Sequence, residues 1–399
     1  MSRPIHPDEA WRRIESAVRP LPLEETLRRQ AAARVLARDL TATVDVPAAD
    51  VSAMDGYALA GPVPPGEPRP VAATIVAGDA PGFELASPAV ARIMTGAPVP
   101  HGADRVIPVE MSESLSRETV TFRAEVPAGE HIRRHGEILR TGDPLLPAGS
   151  LLTPGALGLL ATHGYTRVPV HRVPTVAVLA TGDEVVPPET EPRPGQLRDS
   201  HTDFLLAAGA GLGLPFESLG IAPDRVEALR ALVERGLKSD VLLLCGGVSM
   251  GELDLVEGVL ADLGCKAHFD AVAIQPGKPL VFATHANGIV FGLPGNPASV
   301  MVSFWLFVRP ALRRLMGKEA HWWPAFPSVL AAPLPAAGPR DRFLPAEIAF
   351  RDGAVHVTPY PPRGSHDLAA YAQGAGLVRI RAGAEAAPAG GGCEVVLIP

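Results

Sequence analysis

The chain has 399 residues, more than one hydrophobic core normally serves, so two to four domains are expected. Lys plus Arg number 36 and Asp plus Glu 43, a formal charge of −7 with no long run of like sign, which argues against a nucleic-acid partner. Gly (40) and Pro (43) are abundant, yet hydrophobic residues make up 47% and fall in separated runs, so the composition describes short elements and sharp turns rather than disorder.

The three cysteines, Cys245, Cys265 and Cys393, are far apart and lack paired-ligand spacing, so neither a disulfide framework nor a zinc cluster is supported. No apolar stretch reaches the ~20 residues of a membrane span. The start, MSRPIHPDEAWRRIESAV, has no signal-peptide apolar region. A cytoplasmic protein without membrane or nucleic-acid partners is expected.

In chain order, residues 7–39 read as helical: Ala10, Ile14, Ala17 and Val18 recur at helical spacing, Pro20 and Pro22 interrupt, and LEETLRRQAAARVLARDL resumes. From Thr43 to about Pro127 the runs PVAATIVAG, AVARIMTGA, RVIPVEM and TVTFRAEV alternate with turn residues, the pattern of a small β module. This places an inserted β domain, 43–129, between the halves of a discontinuous, elongated mixed α/β domain, 1–42 and 130–171.

From Pro174 short apolar strands (TVAVLAT, DVLLLCGG, KPLVFAT, GIVFGLPG) alternate with helical stretches. That rhythm predicts a doubly wound α/β domain over 172–317, with an apolar helix over 298–316. Asp224 reads as the N-cap of DRVEALRALVERGL, with Glu227 completing a capping box. Over 318–399, five strand candidates (PSVLAAPL, RFLPAEIAF, AVHVTPY, GLVRIRAG, CEVVLIP) predict a C-terminal β-barrel-like domain. The fold class is therefore α/β plus β, multidomain.

Ligands of open α/β sheets bind beyond the carboxyl ends of the strands. Here those exits carry Gly182-Asp183-Glu184, Gly246-Gly247-Val248-Ser249, Gln275-Pro276-Gly277-Lys278-Pro279 after AVAI, and Leu293-Pro294-Gly295-Asn296-Pro297. Glycines admit close backbone approach, Lys278 supplies a point charge, and Glu184, Glu252 and Asp254 are oxygen donors suited to a hard cation. Each motif alone also reads as an ordinary turn or cap. There is neither a Walker A loop nor a dinucleotide fingerprint. In the β module, SAMDGYA and MTGAP set Asp55 and Thr95 on glycine turns, with nothing in their spacing to link them to the α/β site.

The strings SAMDGYA (52–58), TGAPVPHGAD (95–104), RRHGE (133–137), TGDE (181–184), GQLRDS (195–200), GGVSMGELD (246–254), PGKP (276–279) and GLPGNP (292–297) together resemble the molybdopterin molybdenumtransferase (MoeA) family, related to the E domain of gephyrin. The resemblance implies insertion of molybdate into adenylylated molybdopterin with Mg²⁺ and release of AMP. It implies a homodimer in which the α/β domain of one subunit faces the β module of the other. Molybdopterin adenylyltransferase and downstream molybdoenzyme maturation factors are the implied partners.

By resemblance, Asp55, Glu184 and Asp254 are catalytic carboxylates, the latter two also metal ligands. Thr95, Asp224, Gly246, Gly247, Ser249, Lys278, Pro294, Asn296, Pro297, Arg342 and Ser365 are the implied substrate-binding positions. The chain departs from the family pattern at Val51 (Asn), Ile138 (Asp), His201 (Asn) and Gln275 (Lys). These departures support a second reading: a divergent paralogue with little catalysis, binding molybdopterin or a partner protein for cofactor storage, delivery or assembly.

Overall fold

A computed structural model of the chain describes residues 3–80, 82–246 and 253–398, with only the backbone of Leu253 and Asp254. The chain divides into two compact units, residues 26–168 and residues 1–25 with 169–399.

Helix Pro7–Ala17 starts with Pro7, whose missing N–H costs nothing at a first turn, and with His6 accepting from the Asp8 N–H. Its Ala10, Trp11 and Ile14 are buried in the core beneath the α/β sheet. The continuous helical reading beyond Pro22 is corrected by the structure. Leu23–Leu27 is a strand with alternating exposure, Arg28–Gln30 is a single 3₁₀ turn, and Ala33 takes a left-handed φ of 59°. Val35 instead bridges Leu151, and the Leu36 N–H donates to the Ser150 carbonyl, so non-local pairing buries the apolar residues that looked like a helix face.

Within 26–168, a six-stranded sheet runs in the spatial order Arg105–Pro108, Gly56–Leu59, Val90–Ile93, Arg69–Ile75, Thr119–Phe122, Ser112–Ser114. Alternate residues of its strands feed two cores: Tyr57, Leu59 and Ile107 one, Ala58, Ile93 and Val106 the other. Gly56 is required because a Cβ there would stand 2.1 Å from the Ile107 carbonyl oxygen of the adjacent strand.

In the other unit, the strands are β1 (Val176–Thr181), β2 (Phe216–Ala222), β3 (Val241–Cys245), β4 (Lys266–Ala271), β5 (Pro279–His285) and β6 (Gly288–Leu293), in spatial order β2-β1-β3-β6-β5-β4. The first four in that order are parallel, whereas β5 and β4 are antiparallel additions, so the sheet is mixed. Only Ala286 and Asn287 separate β5 from β6, too few residues for a parallel crossover. Both faces are covered, which explains the unbroken apolar strands. Val176, Val178 and Leu243 pack with Leu205 and Phe304, while Ala177, Leu179 and Leu242 pack with Leu229 and Val256.

The apolar helix forms over 297–315, with a π-helical turn at Phe304–Val308. Pro310 lacks an N–H and its ring would clash with the Leu306 carbonyl in an α-turn; the wider turn relieves both. All five C-terminal strands form. Phe326–Leu330, Asp341–Arg351, Ala354–Pro359, Gly376–Ile380 and Gly392–Leu397 close into a barrel, because Asp341–Arg351 pairs with both Ala354–Pro359 and Gly376–Ile380. The short strand Ile274–Gln275 docks in parallel on this barrel, with Gln275 opposite Arg342. Among the described residues no helix is long and apolar enough to cross a membrane.

Candidate functional site

The sheet register gathers the motifs. β1, β3 and β6 end at one edge, since Ala180 lies opposite Cys245 and Cys245 opposite Leu293. β5 runs the other way, with Val281 opposite Gly292, so PGKP arrives at the edge where the other loops leave. Gly246 holds φ 92°, and a Cβ on it would meet the Thr181 carbonyl oxygen at 2.6 Å. Only glycine fits. A Cβ on Gly182 would meet the Glu184 carboxylate at 2.7 Å, so that exposed side chain folds back over its own loop. A Cβ on Gly295 would stand 4.0 Å from the Gly246 Cα, which puts the GLPGNP loop beside the end of β3.

Two clefts open on this edge. One, of ≈ 190 Å³, is lined by Glu184, Arg198, Asp199, His201, Gly246 and Gly295. The other, of ≈ 240 Å³, is lined by Lys278, Asn296, Ser299, Arg340, Arg342 and Ser365. The GLPGNP loop serves both, giving Gly295 and Pro297 to the first and Asn296 to the second; Pro294 lines neither. Asn296 caps the helix that begins at Pro297 by position, but its side chain makes no capping hydrogen bond and stays available. The Ala298 N–H donates to the Ser365 carbonyl at 3.2 Å, tying the C-terminal domain to this loop.

Electrostatically the clefts are opposite. Lys278, Arg340 and Arg342 are half-buried, and no carboxylate among the described residues pairs with any of them. Three cations without a carboxylate partner among the described residues, together with hydroxyl and amide donors, make an oxyanion pocket. The Glu184 cleft holds two carboxylates, Glu184 and Asp199, with Arg198, paired to Glu191, on its wall. There Asp199, buried, accepts from the N–H groups of His201 and Thr202 and from the Thr202 hydroxyl, so it rather than Ser200 caps the helix His201–Gly211. Burial holds the His201 imidazole below its usual pKa, against the opposing pull of Asp199.

Asp224 is not the expected helix cap. Arg225 occupies that position, and Asp224 instead exchanges hydrogen bonds with Asp183: each backbone N–H donates to the other's carboxylate, at 3.1 and 3.2 Å. This clasp locks the TGDE loop to the β2 exit, beside a recess of ≈ 530 Å³ that also contains Asp199, Thr202 and Ser218. Gly247 and Ser249 lie outside the described residues, as does the side chain of Asp254.

In the unit 26–168, the structure unites Asp55 and Thr95. Both the backbone N–H and the hydroxyl of Thr95 donate to Asp55 Oδ1, at 2.6 and 2.7 Å, and these bonds hold the Asp55 carboxyl below its usual pKa. The Ser52 N–H donates to the Ala97 carbonyl and the Ala53 N–H to that of His131, so SAMDGYA, TGAP and RRHGE form one patch. Asp50 stands in it, accepting from Arg134 Nη1 (2.6 Å) and the His135 N–H (2.8 Å). Ile138 is 65% exposed.

Among the described residues no group of three or more His, Cys, Asp or Glu side chains is gathered closely enough to hold a metal ion. Glu184 still fits Mg²⁺, which characteristically takes only one or two carboxylates and completes its shell with water and substrate phosphates.

Three family models match the chain in succession: the MoeA N-terminal region (domain I and II) over residues 5–164, a probable molybdopterin binding domain over 177–314, and the MoeA C-terminal region (domain IV) over 327–398. Molybdopterin molybdenumtransferase 2 of Mycobacterium tuberculosis is 35% identical over 376 residues, 91% of each chain. The chain belongs to the molybdopterin molybdenumtransferase family. The Bacillus subtilis member is 32% identical over 411 residues, covering 99% of this chain and 94% of its own. The crystal structure of the molybdopterin biosynthesis MoeA protein from Pyrococcus horikoshii superposes with a TM-score of 0.82 at 31% identity, covering 99% of both chains.

As a molybdenumtransferase-family chain, it carries site features that motif reading passed over. Ser299 and Arg340 join the oxyanion cleft, Asp183 and Asp199 brace the carboxylate cleft, and Asp50 organises the RRHGE turn. Arg340 stands two residues before Arg342, immediately ahead of the strand Asp341–Arg351, and was detectable as a second cation beside it in the sequence. Asp183 and Asp50 are read only from hydrogen bonds that span 41 and 85 positions, Ser299 from the cleft lining, and Asp199 from a local helix cap.

Proposed function

We propose that this chain inserts molybdate into adenylylated molybdopterin, with Mg²⁺-dependent release of AMP, in molybdenum cofactor biosynthesis. The observation carrying this reading is the juxtaposition on one sheet edge of a cleft whose three cations lack carboxylate partners among the described residues and a cleft that holds Glu184 and Asp199, divided by one loop. Lys278, Arg340 and Arg342 bind and orient the oxyanion, and Ser299, Ser365 and Asn296 add neutral donors. Glu184, with Asp254, would hold Mg²⁺, which supplies neutralisation of phosphate charge when bound. Water adds to the phosphoanhydride phosphorus as its P–O bond breaks, releasing AMP and leaving the phosphate on molybdopterin. The two dithiolene thiols pass their protons to one molybdate oxygen, which departs as water while both sulfurs bind molybdenum. Such chemistry needs positioning and charge stabilisation more than a covalent intermediate.

Asp55, on its turn with Thr95, completes the site from the partner subunit of a homodimer in this proposal. Purified protein with Mg²⁺ should release AMP from adenylylated molybdopterin only when molybdate is added; release independent of molybdate would sink the assignment.

One observation favours the second reading, a weakly catalytic paralogue acting in storage, delivery or assembly. A large aliphatic side chain, Ile138, stands 65% exposed immediately after the RRHGE turn, where a carboxylate is expected from the family pattern. If tight binding without AMP release is found, Ile138→Asp should raise turnover by an order of magnitude. An Ile138→Asp protein no faster than its parent would remove this explanation of a weak activity.

A further inference from the structure

The helix over 297–315 ends beside the C-terminal barrel, where a recess of ≈ 450 Å³ is lined by Trp305, Arg309, Arg313, His321, Phe326 and Leu397, among others. None of these residues lines either sheet-edge cleft. The volume lies in the range of small-molecule pockets, ~300–1,000 Å³.

Its charge is one-sided. The half-buried Arg309 guanidinium lies over the Trp305 ring, 5.5 Å from the centroid, and its hydrogen-bond acceptor is the Leu397 carbonyl at a long 3.4 Å. Arg313 donates from Nε and Nη2 to the Glu319 carbonyl, at 3.3 and 3.1 Å. Neither guanidinium has a carboxylate partner among the described residues. Glu319, the one acidic residue lining the recess, turns outward: its side chain is 92% exposed and 3.7 Å from His321 Nε2.

Two donors here are also buried without an acceptor among the described residues, Arg309 Nε and the indole Nε1 of Trp305, a residue only 5% exposed. Native interiors rarely leave such groups unpaired, and those that persist call for a missing partner. Burial and the neighbouring Arg313 charge depress the Arg309 pKa, so the pocket is strained in favour of a counter-charge.

We propose that this recess is a second anion site, taking a small phosphate- or carboxylate-bearing molecule. Its charged end meets Arg309 and Arg313, and its apolar body packs on Pro324, Phe326 and Leu397. The planar guanidinium suits bidentate recognition of either anion, and the apolar wall selects against the bare ion. The assignment is independent of the transferase reading.

The test uses phenyl phosphate as probe and the full chain carrying Lys278→Ala, so that the sheet-edge cleft does not supply the signal. Calorimetry should give saturable binding of one phenyl phosphate per chain, at least about 10-fold tighter than inorganic phosphate, with phenol silent. Arg309→Gln and Arg313→Gln, each placed in that background, should weaken it at least about 10-fold while the melting temperature shows the fold retained. If Arg309→Gln does not fold, Arg313→Gln alone decides. Absence of saturable binding, or undiminished affinity in Arg313→Gln, overturns the proposal. Equal affinity for inorganic and phenyl phosphate overturns the apolar half of it.

Discussion

Replacing Gly246 by alanine probes fold and site at once. The backbone there sits at φ 92°, a region that costs an L-residue about 1–3 kcal/mol. The new Cβ would lie 2.6 Å from the Thr181 carbonyl oxygen, which cannot retreat easily because Thr181 is 4% exposed and ends the strand beside β3. Overpacking of this kind adds about 1–3 kcal/mol, so a total near 3 kcal/mol is expected. For a domain of this size that is a melting-temperature loss of about 6–12 °C.

The same movement parts the Glu184 and GLPGNP loops across the ≈ 190 Å³ cleft, so molybdate-dependent AMP release should fall by more than the stability loss explains. Gly258→Ala is the control. That glycine is exposed on the helix Leu253–Asp262 with nothing within 4 Å of an added Cβ, and alanine should stabilise by about 0.5–1 kcal/mol. Calorimetry of both variants and an AMP-release assay decide the matter. A Gly246→Ala protein that melts with the parent and turns over normally would refute the account of this edge.

Lys278→Ala should cut molybdate-dependent AMP release by roughly 10²-fold, as loss of a positioned charge donor does, and a loss under about three-fold would remove it from the site. Asp55→Asn keeps an acceptor for Thr95 and removes only the charge, so it should lose activity while melting as the parent does. If Asp55 and Lys278 meet across subunits, mixing the two inactive variants with subunit exchange should restore about a quarter of wild-type activity; no recovery argues for sites built within one chain.

Asp240 is 7% exposed and binds Arg172 through two oxygens, at 2.6 Å each, besides accepting from the Thr175 N–H and hydroxyl. Asp240→Ala should cost about 3 kcal/mol in urea unfolding, the low end for a broken buried pair because Arg172 is partly exposed. Burial alone would raise the Asp240 pKa, but Arg172 and Thr175 outweigh it and hold the folded value below the unfolded one. Its contribution is therefore complete above the unfolded pKa of about 3.9 and lost as pH falls through the folded value. The wild-type advantage over Asp240→Ala should stay level from neutral pH to about 5 and shrink below about 4; an advantage that grows on acidification contradicts the pairing.

The α/β and barrel strands were legible because their apolar runs and Gly/Pro turns are local signals that tertiary packing reinforces. The segment after Pro22 misled because Ala31, Val35, Leu36 and Leu40 are spaced like a helix face yet are buried through distant pairs such as Val35 with Leu151. Asp224 misled for a similar reason: a carboxylate before a helix has two competing sets of donors, and the sequence does not reveal that Asp183 lies within reach. Gathering the Lys278 cleft needed β5 to run antiparallel, a fact carried by a two-residue turn rather than by any motif. Asp55 and Thr95 were each legible as turn residues, but their bond spans forty positions.

Gln275 and Arg342 lie opposite one another in a parallel pair only two residues long. Lys278, Arg340 and Arg342 are thus set by one short seam between the α/β sheet and the barrel, three residues downstream on one side and at or beside the seam on the other. A slip of a single residue there would present Asp341 or Phe343 where Arg342 now stands, exchanging a cation for an anion or a hydrocarbon. The buried Asp341, bound to Arg379 and to the Ala382 N–H, is the peg against that slip. Insertions and deletions between Gly317 and Asp341 should accordingly be tolerated only where they leave this register untouched, which makes the barrel a gauge block for the charge spacing of the cleft.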